Sequence, residues 1–311
     1  MSITITAKNL ASRWNASPET DAASTRIFNI CKYGGLLSVD QTPFGCLDTN
    51  LIDFRGYSAR GILVQALTVK DVDLSYADFS NAWMENNLFE NCFFEKADFT
   101  DSSDHGDAFD HCMFLNCKFT LAVLGYRGSR FRNCLFRGCH FQRTNFIRPE
   151  FLNTNFLDCR LGGVDFNASS FENCEFEGLL VDVWFRGTFP TQSQIEIFGA
   201  PKINTMKNVS FENAELHDVA FSNWCDLSTV TIREDGKHFK FDNWYKRLQF
   251  LDKKIRLWSD EREKIDAANF LKVYSVHAPT QEWDVVNFDD IAKSYGRVVA
   301  HKILDILNSY F

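Results

Sequence analysis

Large apolar residues, most of them phenylalanine, recur every five positions through much of the chain. The period runs over residues 74–124, resumes after a two-residue slip over 126–176, and returns over 206–221. An α-helix repeats about every 3.6 residues and a flat strand every two, so neither places every fifth residue on one side. The pattern therefore predicts a solenoid, in which the chain turns a corner once per pentapeptide.

A small residue stands two positions before most of the large ones, as Ala77 precedes Phe79 and Cys92 precedes Phe94. One inward position is thus large and the other small, as a narrow and densely packed interior requires. Seven of the ten cysteines occupy the small position, and no CxxC pair occurs, so we interpret them as buried, reduced thiols.

The sequences Tyr-Ala-Asp-Phe at 76–79 and Lys-Ala-Asp-Phe at 96–99 resemble the A(D/N)LXX consensus of the pentapeptide-repeat family. The resemblance covers roughly residues 44–226. It implies an all-β solenoid, a right-handed quadrilateral β-helix with four pentapeptides per coil.

With twenty residues per coil, side chains twenty positions apart should stack in columns. One large column would contain Leu74, Phe94, Phe114, Phe136, Phe156 and Phe176, and another Phe89, Phe109, Phe131, Phe151 and Phe171. The spacing changes from 20 to 22 around 125–128 (Gly-Tyr-Arg-Gly), where glycine suits a corner that absorbs two extra residues.

The ends of the chain leave this period. Residues 1–43 read as an α-helical cap, with Ser17 capping a helix that begins at Pro18 and ends at Gly34-Gly35. The β-helix is assigned to 44–238, and 239–311 to a C-terminal segment of three helices with caps at Ser259 and Asn287. An apolar stripe in that segment either caps the last coil or forms a homodimer interface, and its residues are Trp244, Leu248, Leu251, Ile255 and Trp258.

Two interruptions break the repeat, at 102–107 and at 182–205. The period requires a large apolar residue at position 104 and finds Asp104, so we expect this corner to bulge outward and expose Asp104 and Asp107. Long interruptions are often functional, although a neutral insertion would give the same pattern.

The sequence contains no recognisable motif for catalysis, phosphate binding or metal ligation, so we expect no enzyme activity, no cofactor and no small-molecule substrate. No apolar stretch is long enough for a membrane span and no signal peptide is recognised, which favours a cytoplasmic location.

Charge is unevenly distributed around a net value of −8. Acids dominate residues 71–110, where Lys96 is the single lysine or arginine, whereas 127–148 contains six arginines and no acid. The residues that we single out for protein binding are Glu85, Glu90, Asp98, Asp104, Asp107, Asp110, Arg132, Arg137 and Arg148.

Two functions remain open at this point. The first is a non-enzymatic protein-interaction rod that uses the acidic surface, the arginine band and the loops. The second is suggested by the resemblance: in the quinolone-resistance (Qnr) branch of the family, the rod mimics DNA and binds type II topoisomerases, gyrase or topoisomerase IV. The arginine band counts against mimicry, because duplex DNA is negative along its whole length. Direct binding of nucleic acid is disfavoured by the acidic balance.

Overall fold

The computed structural model describes residues 6–204 and 206–310. Most of them wind into one parallel β-solenoid in which three sheets run along a common axis, with seven, nine and eight strands. A fourth side is closed by isolated parallel bridges. We number the sides faces 1 to 4 in the order in which the chain visits them. The predicted β-helical architecture with helices at both ends is confirmed.

Each face is built from strands of similar register, one per coil. Face 1 consists of Gly35–Leu37, Leu67–Lys70, Leu88–Glu90, Ala108–Asp110, Arg130–Arg132, Glu150–Leu152 and Ser170–Glu172. Face 2 consists of Ile52–Asp53, Val72–Asp73, Phe93–Glu95, Met113–Leu115, Leu135–Arg137, Asn155–Leu157, Glu175–Val181, Ser210–His217 and Thr231–Ile232. Face 3 has the bridge residues Ser58, Asp78, Asp98, Lys118, His140 and Arg160. Face 4 consists of Leu63–Gln65, Trp83–Glu85, Ser103–His105, Val123–Tyr126, Asn145–Ile147, Asp165–Asn167, Trp184–Arg186 and Ala220–Ser222.

The interior contains the predicted columns of stacked rings. Phe114 lies between Phe94 and Phe136, with ring centroids 4.7 Å and 4.6 Å away and nearly parallel planes. The spacing equals the distance between neighbouring strands, so backbone pairing and ring stacking use the same repeat. The small positions hold buried cysteines as predicted, and Cys117 Sγ donates to the Phe94 carbonyl oxygen at 3.1 Å.

Corners of the coil need a left-handed backbone, which explains the asparagines that precede many small residues. Asn133, Asn153 and Asn173 all have φ near +50°, a conformation that asparagine tolerates better than most residues. Their side-chain amides also form a ladder along the edge between faces 1 and 2, with donor–acceptor distances of 3.0 Å from Asn153 to Asn133 and from Asn173 to Asn153. The corner residue thus serves both the turn and the stacking of coils.

The predicted slip is a bulge on face 4 between Val123 and Tyr126. Gly125 there has φ +89°, and its N–H donates to Asp104 Oδ2 at 3.1 Å. A Cβ on Gly125 would lie 2.7 Å from Pro149 atoms, so the bulge is packed tightly against the following coil.

We expect Gly125→Ala to lower the free energy of unfolding by about 1–3 kcal/mol from the left-handed backbone, with a further loss from the collision with Pro149. Gly61→Ala is the matched control, because Gly61 has φ +67° but open space around its Cβ position. Urea denaturation of both variants separates the cost of the left-handed backbone from the cost of the collision with Pro149. Equal losses would show that Pro149 does not constrain the bulge.

The N-terminal cap consists of α1 (Ala7–Ser12), a short 3₁₀ turn (Arg13–Asn15) and α2 (Pro18–Tyr33). As predicted, Ser17 caps α2, its hydroxyl accepting from the Thr20 N–H, and Gly34 ends the helix. A further 3₁₀ turn covers Val39–Gln41. The strand Gly35–Leu37 already pairs with the following coil, so face 1 begins earlier than the boundary at residue 44.

The 182–205 interruption is shorter than predicted. Trp184–Arg186 still pairs in face 4, and Phe185 is fully buried in its column. The chain then leaves the coil and forms α3 (Gln192–Phe198). Phe198 packs against Tyr126, with ring centroids 5.7 Å apart, so the excursion folds back onto the slip rather than extending into solvent. Thr205 lies outside the described residues.

The C-terminal segment, as far as residue 310, contains an antiparallel pair of strands, His238–Phe241 with Asp284–Asn287, and four α-helices rather than three. The helices are α4 (Trp244–Ile255), α5 (Glu261–Tyr274), α6 (Phe288–Tyr295) and α7 (Arg297–Asn308), with a 3₁₀ turn at Ala278–Thr280. Gly296, at φ +88°, divides the predicted last helix in two. Asn287 caps α6 as predicted, whereas Asp260 rather than Ser259 caps α5. None of the described helices is long and apolar enough to cross a membrane.

Candidate interaction surface

The predicted binding residues are distributed over all four sides of the rod. Glu90, Asp110 and Arg132 are Cα partners on three successive strands of face 1, so the structure brings these three together. Arg137 lies on face 2, Asp98 on face 3 and Glu85 on face 4. Most of these residues are not separated along the chain by multiples of the coil length, so they fall on different faces.

Several acids of the predicted acidic zone have cationic partners within the chain. Glu90 pairs with Lys70 at 2.7 Å, and Glu85 pairs with Arg127 at 2.5 Å. Asp98 lies 3.7 Å from Lys118. Exposed pairs of this kind contribute about 0–1 kcal/mol each, but they reduce the negative field that a partner meets.

The exposed arginines of the band form a belt along one coil, on faces 1 and 2 and at the corner between faces 3 and 4. Arg130 and Arg132 are exposed on face 1, Arg137 is exposed on face 2, and Arg143 is exposed at the corner between faces 3 and 4. None of these four forms an ion pair with another described residue. Their charges are therefore available to a partner.

Arg148, predicted to belong to this surface, is half-buried beneath the excursion that carries α3. Its Nη1 donates to the Ala200 carbonyl oxygen at 3.5 Å, and a Cβ on Gly199 would lie 3.2 Å from its Nη2. Arg148 therefore stabilises the segment that follows α3, and its guanidinium group does not belong to the predicted binding surface.

The outward bulge predicted for Asp104 and Asp107 is wrong, because both side chains point into the solenoid and are 2% and 0% exposed. Asp104 Oδ1 accepts from the Ser129 hydroxyl at 2.7 Å and from the Asp107 N–H at 3.2 Å. Asp107 Oδ1 accepts from the Asn87 backbone N–H and side-chain amide at 2.7 Å and 2.9 Å. These donors hold Asp104 and the Oδ1 atom of Asp107 inside the coil, which is why the corner does not open, whereas Asp107 Oδ2 is buried without an acceptor–donor contact to another described residue.

The two buried carboxyl groups influence each other. Burial, reinforced by the neighbouring Asp104, raises the pKa of Asp107 well above its ordinary value. Burial also raises the pKa of Asp104, and the Ser129 hydroxyl opposes that shift. Two carboxyls in one enclosed site share a single proton, because both cannot ionise together. A partner cannot reach either group, so neither belongs to the interaction surface.

The described residues contain no cluster of three or more histidine, cysteine or acidic side chains suited to a metal ion. The groups that contact Asp104 and Asp107 Oδ1 are N–H and O–H donors, which supply no further oxygen ligands to a cation.

The predicted dimerisation stripe lies inside the C-terminal segment rather than on its surface. Trp244, Leu248, Leu251 and Ile255 are at most 3% exposed and form the core of the C-terminal helices. Trp258 packs at the edge of that core, with Lys302 Nζ 5.2 Å from its ring centroid. Because α5 and α7 already cover this stripe, it is not free for a second subunit.

Sequence reasoning missed an apolar strip on the outside of face 2. Phe93, Met113 and Leu135 are Cα partners on successive strands, and each immediately precedes a buried phenylalanine. Met113 is 40% exposed. The outward positions beside the phenylalanines carry this signal, but it appears only when every twentieth residue is compared rather than every fifth.

The fold defines the class of protein: a parallel β-solenoid whose interior is filled by stacked phenylalanine columns. Residues 127–163 match the family model described as Pentapeptide repeats, in eight copies. The chain therefore carries the repeats of the pentapeptide-repeat family, and the resemblance seen in its sequence is confirmed.

Comparison with curated proteins gives no match. Among solved structures, the full-length plasmid-mediated fluoroquinolone resistance protein QnrB1 is 16% identical, with coverage of 55% of this chain and 83% of that chain and a TM-score of 0.37. HetL, a pentapeptide repeat protein involved in heterocyst differentiation regulation from the cyanobacterium Nostoc sp. strain PCC 7120, is 8% identical, with coverage of 59% and 90% and a TM-score of 0.28. A pentapeptide repeat protein from the Arabidopsis thaliana thylakoid lumen is 21% identical, with coverage of 44% and 74% and a TM-score of 0.23. No argument about activity or partner follows from matches this distant.

Proposed function

We propose that the protein acts without catalysis, as a rigid rod that binds another protein through face 1. The observation that carries the proposal is the contrast between two neighbouring regions of that face. Glu90 is already paired with Lys70, whereas Arg130 and Arg132, farther along the rod, are exposed and have no ion-pair partner among the described residues. Exposed arginines with free guanidinium groups suit a carboxylate-rich partner, since each can bind a carboxylate through two hydrogen bonds.

The packing of the solenoid supports a non-enzymatic role. Side chains fill its interior, and the buried acids Asp104 and Asp107 are enclosed there and accept hydrogen bonds from internal donors. Catalytic sites generally require a concave pocket in which convergent polar groups reach a substrate. A cytoplasmic location stays a prediction from the sequence.

DNA mimicry of a topoisomerase substrate is the competing hypothesis, and two observations weigh against it. The arginine belt interrupts the acidic surface on faces 1 and 2 and at the corner between faces 3 and 4. Lys70 and Arg127 also neutralise part of the acidic zone. A basic DNA-binding groove would meet positive charge in the middle of this rod and would be repelled there.

The test is capture of partners by the immobilised protein from cell extract at low salt, with purified gyrase and topoisomerase IV assayed separately. We expect a partner that wild type retains and that Arg130→Glu/Arg132→Glu loses by at least tenfold, because the reversed charges repel an acidic surface. Retention of wild type should also fall as salt rises.

The matched control is Arg143→Glu/Arg160→Glu, which changes the net charge equally on other sides of the rod, where both residues are exposed. Equal loss in both double variants would refute a face 1 site and indicate a general charge effect. Binding of gyrase or topoisomerase IV that survives Arg130→Glu/Arg132→Glu would refute the proposal in favour of mimicry.

A further inference from the structure

The centre of face 2 has the composition of an interface. On strand Met113–Leu115 both outward residues are apolar, and they are flanked along the rod by Phe93 on one side and Leu135 on the other. The excursion that carries α3 does not cover this strip, because it packs against Tyr126 of face 4, on the opposite side of the rod. Apolar side chains adjoining one another on the outside of a sheet are characteristic of surfaces that become covered.

Two opposite charges flank this apolar centre at equal distances. Glu95 is the Cα partner of Leu115 on the preceding strand, and Arg137 is its partner on the following strand. Each is therefore one strand spacing, about 4.8 Å, from Leu115 along the rod. Arg137 is exposed, and Glu95 is half-buried. Glu95 Oε1 lies 3.2 Å from Lys96 Nζ of its own chain, an exposed pair that contributes little and that Arg137 of the partner subunit would replace or join.

This arrangement is self-complementary under one symmetry operation. A two-fold axis along strand Met113–Leu115 reverses the rod direction and keeps the strand direction. Glu95 then faces Arg137 of the partner subunit, Phe93 faces the partner's Leu135, and Leu115 meets its own counterpart. Such isologous contacts are the commonest way in which soluble proteins dimerise.

We propose that the protein self-associates into an antiparallel dimer through face 2, with this two-fold axis at its centre. The dimer goes beyond the proposed function, which uses face 1. Other registers are disfavoured by the same residues. Parallel rods would set Glu95 against Phe93 and Arg137 against Leu135, which places each charge against an apolar side chain. An antiparallel dimer in which one rod is shifted by one coil would set Glu95 or Arg137 against Leu115 of the partner subunit.

The area of the strip limits the affinity. A stable interface buries about 800 Å² on each partner, and three strands of a narrow face provide less than that. We therefore expect a dissociation constant on the order of tens of micromolar, weakening with salt because two of the central contacts are ion pairs.

Sedimentation velocity from about 5 to 500 µM at low salt tests the proposal through a charge swap. We expect wild type to dimerise, Glu95→Arg and Arg137→Glu each to weaken association at least tenfold, and Glu95→Arg/Arg137→Glu to restore it to within about threefold. Arg143→Glu is the matched single-charge control and should behave as wild type. Wild type that stays monomeric at all concentrations overturns the proposal, as does a double variant no better than the single ones.

A second measurement does not depend on charge. In a Cys46→Ser background, which removes the exposed native thiol, Leu115→Cys should form an intermolecular disulfide under mild oxidation because it lies on the two-fold axis. Asn145→Cys, exposed on face 4, is the control and should not. Equal cross-linking of the two variants, or none by Leu115→Cys, contradicts the geometry.

Discussion

Phe114→Ala should lower the free energy of unfolding by about 3–5 kcal/mol, the range measured for phenylalanine-to-alanine changes in protein cores. The ring is 1% exposed and stacks on Phe94 and Phe136, while Phe109 and Phe119 contact it edge to face. Neighbouring coils cannot collapse into the space left by the ring, because backbone pairing sets their separation. Urea denaturation followed by far-ultraviolet circular dichroism measures the loss.

The matched control is Met113→Ala, at the preceding residue of the same strand. Met113 points outward and is 40% exposed, so its truncation should change the free energy of unfolding by less than about 1 kcal/mol. The measurement should be made at low protein concentration, below the proposed self-association. Similar losses for both variants would show that the ring columns are not what stabilises the coil.

Asp107→Asn should stabilise the protein, and increasingly so as the pH rises from 5 to 8. In the native state the raised pKa of Asp107 keeps its carboxyl protonated, whereas the unfolded chain loses this proton near pH 4. The stability associated with the proton is complete below the unfolded pKa and is lost as the pH rises through the folded pKa. Between these two values wild type loses about 1.4 kcal/mol per pH unit from this group.

Asparagine has the same shape as protonated aspartic acid and does not ionise. Its Oδ1 can still accept from Asn87, and its amide can donate towards Asp104. The difference between variant and wild type in urea denaturation should therefore grow with pH. Asp101→Asn is the control, since it removes one exposed carboxylate from the same coil. If the two variants have the same pH dependence, Asp107 is ionised in the native protein.

The interior of the coil could be predicted almost completely from the sequence. A five-residue period has one geometric solution, and residues such as Phe94 and Phe114 then stack at intervals of one coil. Helix ends with strong local signals were also predictable, because Ser17 and Gly34 act through contacts within a few residues.

The exterior and the exceptions could not be predicted, because they depend on contacts between coils. Asp104 looked intolerable inside the coil, but its partners Gly125 and Ser129 are supplied by the next coil. The exposure of Arg148 depends on the excursion near Ala200. The apolar stripe beginning at Trp244 had the correct period, but the pattern did not reveal that the chain covers it with its own helices.

The replacement of a ring by Asp104 also makes the rod mechanically uneven. Columns of stacked rings resist bending in the middle coils of faces 1 and 2, where Phe109 and Phe114 continue each column. On face 4 the corresponding positions pass through Met84, Asp104 and Leu124, and the strand that contains Leu124 is bulged. Curvature of the rod should therefore concentrate at these coils, towards or away from face 4. The segment carrying α3 packs on the C-terminal side of these coils, with Phe198 against Tyr126 and Ala200 against Arg148, and should therefore limit their bending.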